Sequence, residues 1–427
     1  MIGIAGIVLV IAFLWPKQST EPTKLQPTAP PATADNTTPS QLARLGTAPE
    51  WERLQVYQGS MTRAEFVAAL EQTYSLREAW RTVIRIDEEK ALIHRSEGTE
   101  PFILEFAAHS TDQTPPRKWR SPSQIPANPD PKRPLLGMRI AIDPGHIGGH
   151  FAKMEGREFR IDQGPPVREG EMTLKVAMLL KARLEALGAS TYLTRMTNEP
   201  ITKFRPKDFS QQAKDDLDGS NSTEFEQQRR AALFFYRVSE IRERAKRLHH
   251  DFQPDLTLCL HFNAEAWGDP KSPTLTTRNH FHLLVNGAYG AGELAQDDQR
   301  FEMLQRLLQR CDEVESVLAA EVATHFAEKS GLEAYRYTAM AMAKPGPTPF
   351  VWKRNLLANR IFPSPVLYFE PYVMNTQVVY DRVMAGDYEG TKKVAGKMRP
   401  SIFREYADGV ADGLVLAVEK YRSKPGD

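Results

Sequence analysis

The run that most constrains this chain is Met138 to His146, MRIAIDPGH. Residues 138–142 alternate and are rich in branched apolar side chains, which predicts a buried strand. Asp143, Pro144 and Gly145 break it, and His146 comes immediately after. Two later runs repeat the plan. Leu256 to Leu260 is an apolar strand ending in His261, and Val366 to Phe369 is one ending in Glu370. Strands that each stop at a chemically capable residue suit an α/β sheet, where strand ends gather such groups.

The segments between agree with that class. Glu169 to Leu174 leads into a helix with Leu174, Ala177, Leu180, Leu184 and Leu187 along one face, closed by Gly188. Ser190 to Thr194 then reads as a strand, which completes a right-handed strand–helix–strand crossover. Residues 197–240 are polar and read as an insertion with a turn at Asp215–Gly219, and Phe234 to Leu248 as a helix. His280 to Val285 is a strand, 298–330 one or two amphipathic helices, and 402–421 a closing helix. The expected fold class is α/β, a mostly parallel mixed twisted sheet with helices on both faces. A small N-terminal α+β module precedes it.

That main domain spans 136–427. Residues 1–15 form an uncharged apolar segment. As a helix, Ile2 to Trp15 would reach about 21 Å, short of a ~30 Å bilayer core. It reads as a membrane anchor or signal-like segment, with an uncleaved anchor preferred. Residues 16–45 hold six prolines and read as a solvated tether. Residues 46–112 read as two helices and a three-stranded meander, with Thr62 and Glu65 as a capping box; no role is assigned to this module. Residues 113–135, with seven prolines and a basic cluster of Arg117, Lys118 and Arg120, read as a second linker.

Apolar content of 41% and charged content of 26% are those of a globular protein, and a net charge of +1 lacks the basic face that nucleic acid requires. Two cysteines give no disulfide framework; Cys259 lies inside a strand as a small core residue, and pairing with Cys311 has no support in the sequence.

His146, Glu169, His261 and Glu370 form the candidate constellation. Two imidazoles and a carboxylate make a three-ligand zinc site with a position left open, and a further carboxylate can serve as general base on water. Spacing alone leaves a second reading standing, that these are ordinary buried or salt-bridged side chains.

The chain resembles the zinc-dependent N-acetylmuramoyl-L-alanine amidases of bacterial cell-wall lysis. The resemblance rests on Ile140-Ala-Ile-Asp-Pro-Gly-His146, Glu169 with its helix and Gly188-Ala189, Leu193-Thr-Arg195, Asp255 to Ala264 with His261-Phe-Asn263-Ala264, and Pro365 to Glu370. These follow the family's order along nearly all of 138–421. The resemblance implies one Zn2+ held by His146, Glu169 and His261, with Glu370 as catalytic general base and acid. It implies cleavage of the amide between N-acetylmuramic acid and L-alanine in peptidoglycan; together with the apolar N-terminal segment read as an inner-membrane anchor, this places the chain on the periplasmic side of the envelope. Asp143 and Asn263 are assigned hydrogen-bonding roles within the site, with a purely structural turn role equally open. Glu171 competes with Glu169, but the spacing to Leu174 favours Glu169 and leaves Glu171 a solvated acid at the helix start. His150 is expected exposed; neither His280 nor His282 is taken as a ligand; Arg195 is left between a substrate partner and an exposed residue.

Three departures from the family pattern stand out. Ile147 intervenes between His146 and the glycines, Pro371-Tyr-Val-Met-Asn375 lacks the usual Gly-Phe, and 197–240 and 286–355 are long. Related envelope amidases occlude the zinc with an inserted helix that a partner removes, so part of 286–312, with Glu293, Asp297 and Asp298, is expected to play that role, relieved by an activator protein. The rival functions are another zinc peptidase acting on the stem peptide, and a non-catalytic wall-binding protein on the same fold.

Overall fold

The three runs ending in His146, His261 and Glu370 lie side by side. In the computed structural model, which describes residues 42–96, 98–110, 113–217, 221–337 and 342–423, β4 (Arg139–Pro144) pairs in parallel with β5 (Ser190–Leu193) and with β6 (Leu256–Leu260). The segment 1–15, most of the tether 16–45, and Asp218 and Gly219 of the insertion turn lie outside the described residues. β9 (Val366–Glu370) is parallel to β6 and antiparallel to β7 (His280–Val285), which carries β8 (Val351–Lys353) in parallel on its far side. The order is β8-β7-β9-β6-β4-β5, with Lys344–Pro345 on the β8 edge and Glu333–Ala334 against β7. This is a mixed α/β fold, a mostly parallel sheet flanked by helices.

Alternation decides which layer each strand residue meets. Ile140 and Ile142 pack with Val176, Ala177, Leu180 and Leu184 of α2 (Glu169–Ala186), and with residues of α7 (Cys311–Ser330) and α8 (Ile402–Ser423). Ala141 and Cys259 face the other way, against Ala245 of α5 (Glu240–Arg247) and Leu248. Cys259 and Cys311 are both buried and free. The long amphipathic stretch resolves into two helices, α6 (Asp297–Leu308) and α7, parted by Arg310 in the left-handed region. Among the described residues no helix is long and apolar enough to cross a membrane.

Residues 42–110 carry the expected three-stranded antiparallel meander of β1 (Ile84–Ile86), β2 (Lys90–Ile93) and β3 (Phe102–Glu105). Helix α1 (Arg63–Ala69) opens on the Thr62–Glu65 capping box. The module does not stand off from the sheet. Trp51, Leu54, Phe66 and Tyr74 share a core with Tyr289, Leu294, Phe301 and Leu304. This corrects the occluding role expected of 286–312. The segment is the platform on which the module sits, and its acids are committed to structure. Glu293 accepts the Gly290 N–H, Asp297 pairs with Arg300, and Asp298 accepts the Ala43 N–H and faces Arg242.

Residues 113–135 also depart from the expected linker. Trp119, Ile125 and Leu135 are buried in the main core, so the stretch is a strap rather than a solvated tether. Its basic cluster serves the same end. Arg120 pairs with the buried Asp255 at 2.7 Å, and Arg117 lies over the Trp119 ring and donates to the Gln309 carbonyl. Proline-rich composition signals a chain without regular structure, but it does not say whether that chain is solvated.

Candidate metal centre

Register brings the site together. Pro144, Leu260 and Phe369 are partners across β4, β6 and β9. His146, His261 and Glu370 therefore leave the same edge of the sheet, and the N-terminus of α2 delivers Glu169 to it. His146 adopts φ 61°, a left-handed conformation that turns the chain sharply after the strand. Gly145 is required just before it, because any Cβ there would land on the His261 ring.

Donor atoms of His146, Glu169 and His261 lie within 4.8 Å of one another, the one such three-residue grouping found among the described residues. His146 Nε2 is 3.2 Å from Glu169 Oε2, and His261 Nδ1 is 3.1 Å from Glu169 Oε1. The Phe262 N–H also donates to Oε1, at 3.1 Å. Glu169 is buried, whereas Glu171 pairs with Arg168 at the surface, at 2.9 Å. His150 is exposed.

The protein fixes these rings from behind. Glu155 lies 3.4 Å from His146 Nδ1 and accepts the Ile147 and Gly148 N–H groups at 3.1 and 3.3 Å. That places a hydrogen on Nδ1 and leaves Nε2 with the lone pair. The His261 ring stacks on Tyr368 with centroids 4.4 Å apart, and the Tyr406 hydroxyl donates to its carbonyl oxygen.

Asp143 touches none of the three. It accepts from Thr194 and pairs with Arg244 at 3.1 Å, while Arg244 donates to the carbonyls of Pro144 and His146, both at 2.8 Å. Arg195, which sequence left between substrate and solvent, is 2% exposed and donates to the carbonyls of Pro144, Gly145 and Gly170. Two guanidiniums thus satisfy the carbonyls of a tight, buried turn that no strand can reach. Asn263 ties the loop after β6 to the loop after β9 through the Met374 N–H, and lies 3.4 Å from His280 Nδ1. His280 in turn lies 3.1 Å from Glu265, and His282 is buried beside Tyr335 and Tyr337.

Electrostatics separate the two site carboxyls. Burial works against ionisation of Glu169, but His146, His261 and Arg157 outweigh it and hold its carboxyl well below the usual range. Burial and the nearby Glu169 carboxylate push Glu370 up to about 8. Burial holds His261 below its ordinary value; for His146 the Glu169 and Glu155 carboxylates overcome burial and raise it. One carboxyl is thus kept ionised and the other proton-binding, the division of labour between a ligand and an acid–base group.

Glu155 and Arg157 were not anticipated from sequence. Both lie in the Gly- and charge-rich loop after His146, where no periodicity marks a residue. Ile147, the extra residue, also finds its reason here. Its side chain is fully buried among Phe151, Phe209, Ala213, Phe234 and Phe235, where the 197–240 insertion packs against the loop.

No protein-family profile matches the chain, and no curated protein matches it. Among solved structures, the N-acetylmuramyl-L-alanine amidase Ami1 of Mycobacterium smegmatis is 15% identical at a TM-score of 0.38, covering 67% of this chain and 99% of that one. The CwlD amidase of Clostridioides difficile, in complex with the GerS lipoprotein, is 11% identical at 0.37, covering 68% and 100%. AmiC2 of Nostoc punctiforme is 14% identical at 0.36, covering 67% and 98%. Likeness at this level says nothing about residues or activity.

Proposed function

We propose that this chain is a zinc-dependent N-acetylmuramoyl-L-alanine amidase acting on peptidoglycan in the cell envelope. The observation that carries the reading is the His146–Glu169–His261 cluster, donor atoms within 4.8 Å, beside a Glu370 carboxyl raised to about 8 at the end of the neighbouring strand. Two imidazoles and a carboxylate are zinc's donor set. The 3.2 Å between His146 Nε2 and Glu169 Oε2 suits two ligands of one ion with bonds of about 2.0–2.2 Å. The Glu155 contact, by setting the His146 tautomer, fits the same role.

When bound, zinc would polarise the scissile carbonyl and lower the pKa of water at the site. The chain's own groups do the rest. Glu370 accepts a proton as water adds to the lactyl carbonyl carbon, then returns it to the L-alanine nitrogen as the C–N bond breaks. A carboxyl with raised proton affinity suits both halves of that cycle. Glu155, Tyr368 and the Arg195–Arg244 brace keep the histidines and their turn from reorganising.

The test is mass spectrometry of purified peptidoglycan digested with zinc-loaded, zinc-stripped and Glu370→Gln protein. Intact stem peptides beginning at L-alanine, released only by the loaded wild type, are expected. Shortened stems or free amino acids would instead identify a stem-peptide peptidase, and wall binding without cleavage a binding protein.

A further inference from the structure

The loop that supplies Glu155 supplies a second side chain to the site, two residues on. Arg157 Nε lies 3.2 Å from His146 Nε2 and 3.1 Å from Glu169 Oε2, the two atoms on which the metal reading rests. Its side chain is partly buried, and its main chain is fixed. The Arg157 N–H donates to the Ala152 carbonyl at 2.8 Å, and the Arg157 carbonyl accepts the Glu169 N–H at 3.1 Å.

The surrounding bonds leave His146 Nε2 no spare capacity. Glu169 Oε1 is taken by His261 Nδ1 and the Phe262 N–H, so Oε2 is the oxygen left for a metal. His146 Nδ1 faces Glu155, so Nε2 holds the ring's single lone pair. That lone pair accepts the Arg157 N–H or binds a metal; it cannot do both. A guanidinium keeps its protons and has no lone pair to offer, so it cannot join the ligand set itself.

We propose that Arg157 is the resident cation of the unloaded site, neutralising Glu169 and capping His146, and that loading a metal requires its displacement. The inference rests on the metal-centre reading. It makes Arg157 a determinant of metal affinity and loading rate. The backbone contacts confine the exchange to a swing of the side chain. A site built this way is never left as a bare buried carboxylate, and it favours a divalent ion that binds tightly enough to evict a guanidinium.

The experiment uses the full chain, stripped by chelation, and titrates Zn2+ alone against a chromophoric competitor for wild type, Arg157→Met, Arg157→Lys and His146→Ala. Arg157→Met should bind zinc about tenfold or more tighter, because the charge-assisted hydrogen bond to His146 and the ion pair with Glu169 no longer have to be broken. It should also load faster and melt lower when stripped, while the loaded proteins melt together. If stripped Arg157→Met does not fold, Arg157→Lys carries the test, since a lysine stem has a methylene and no N–H at the Nε position that meets both atoms. It too should bind zinc more tightly than wild type. Unchanged or weaker zinc binding in the Arg157 variant that folds overturns the inference. If wild type binds zinc and His146→Ala does not, that overturning leaves the metal centre standing. If wild type and His146→Ala are alike in binding none, the metal reading falls and the inference with it.

Discussion

Glu155 faces His146 Nδ1 at 3.4 Å while its carboxylate also gathers the N–H groups of Ile147 and Gly148. One side chain therefore sets both the tautomer of a candidate ligand and the shape of the turn that presents it. Replacing Glu155 by Gln should weaken zinc binding by about ten- to hundredfold with the fold retained, the usual cost of losing such a partner. Competition titration against a chelator reads this directly. Affinity equal to wild type would show that His146 needs no support from behind.

Glu370→Gln keeps volume and hydrogen bonding but cannot carry a proton between water and amine. Peptidoglycan hydrolysis should fall by about 10²- to 10⁴-fold with zinc affinity near wild type. Single-turnover assays on labelled wall, with metal content measured on the same samples, separate this from loss of the metal.

Ile147 is fully buried in the cluster between the loop after β4 and the 197–240 insertion. Ile147→Ala should cost about 2–5 kcal/mol in denaturant unfolding. Its N–H is also held by Glu155, so zinc affinity should drop in parallel. A variant that loses stability but binds zinc as tightly as wild type would show the packing to be independent of the site.

Asp255 has a fully buried side chain that accepts from Arg120 and Arg139 and from both their backbone N–H groups. Burial opposes its ionisation, but these bonds prevail and hold its carboxyl below the ordinary range. A depressed acid contributes stability above its unfolded pKa, about 3.9, and loses that contribution as pH falls through its folded value. Asp255→Asn should therefore be less stable than wild type by about 2 kcal/mol at pH 7, a figure discounted because both arginines are partly exposed. The gap should close as pH falls below about 4. A gap that does not depend on pH would assign the effect to packing.

The shared core between the N-terminal module and the 289–308 segment makes a truncation informative. A chain starting at residue 113 uncovers Leu294, Phe301 and Leu304. It should be poorly soluble or molten, by dye binding and loss of a sharp melting transition. A truncated protein that melts sharply would make the module an independent unit.

Sequence alone determined five strands of the main sheet, β4 to β7 and β9, because alternation and β-branching are local, though not the short edge strand β8. It also determined the polar stops at His146, His261 and Glu370, because they interrupt apolar runs. It determined the helix that starts at Glu169, the Thr62–Glu65 cap and the α/β class for the same reason. What only the tertiary structure decided were the partners. Glu155 and Arg157 lie in a loop without periodicity, and their roles exist only once α2 and β4 bring Glu169 and His146 within 3.2 Å. Arg195 reads as a strand-end residue that either meets substrate or faces solvent until the buried carbonyls of the turn need a donor. The 286–312 segment reads as an acidic insertion until the module covers its apolar face, and 113–135 as a tether until Trp119 and Ile125 find the core. Local pattern fixes which residues are apolar or chemically capable. Which of them meet is set by register and by long-range burial, and neither is written in any one stretch of the chain.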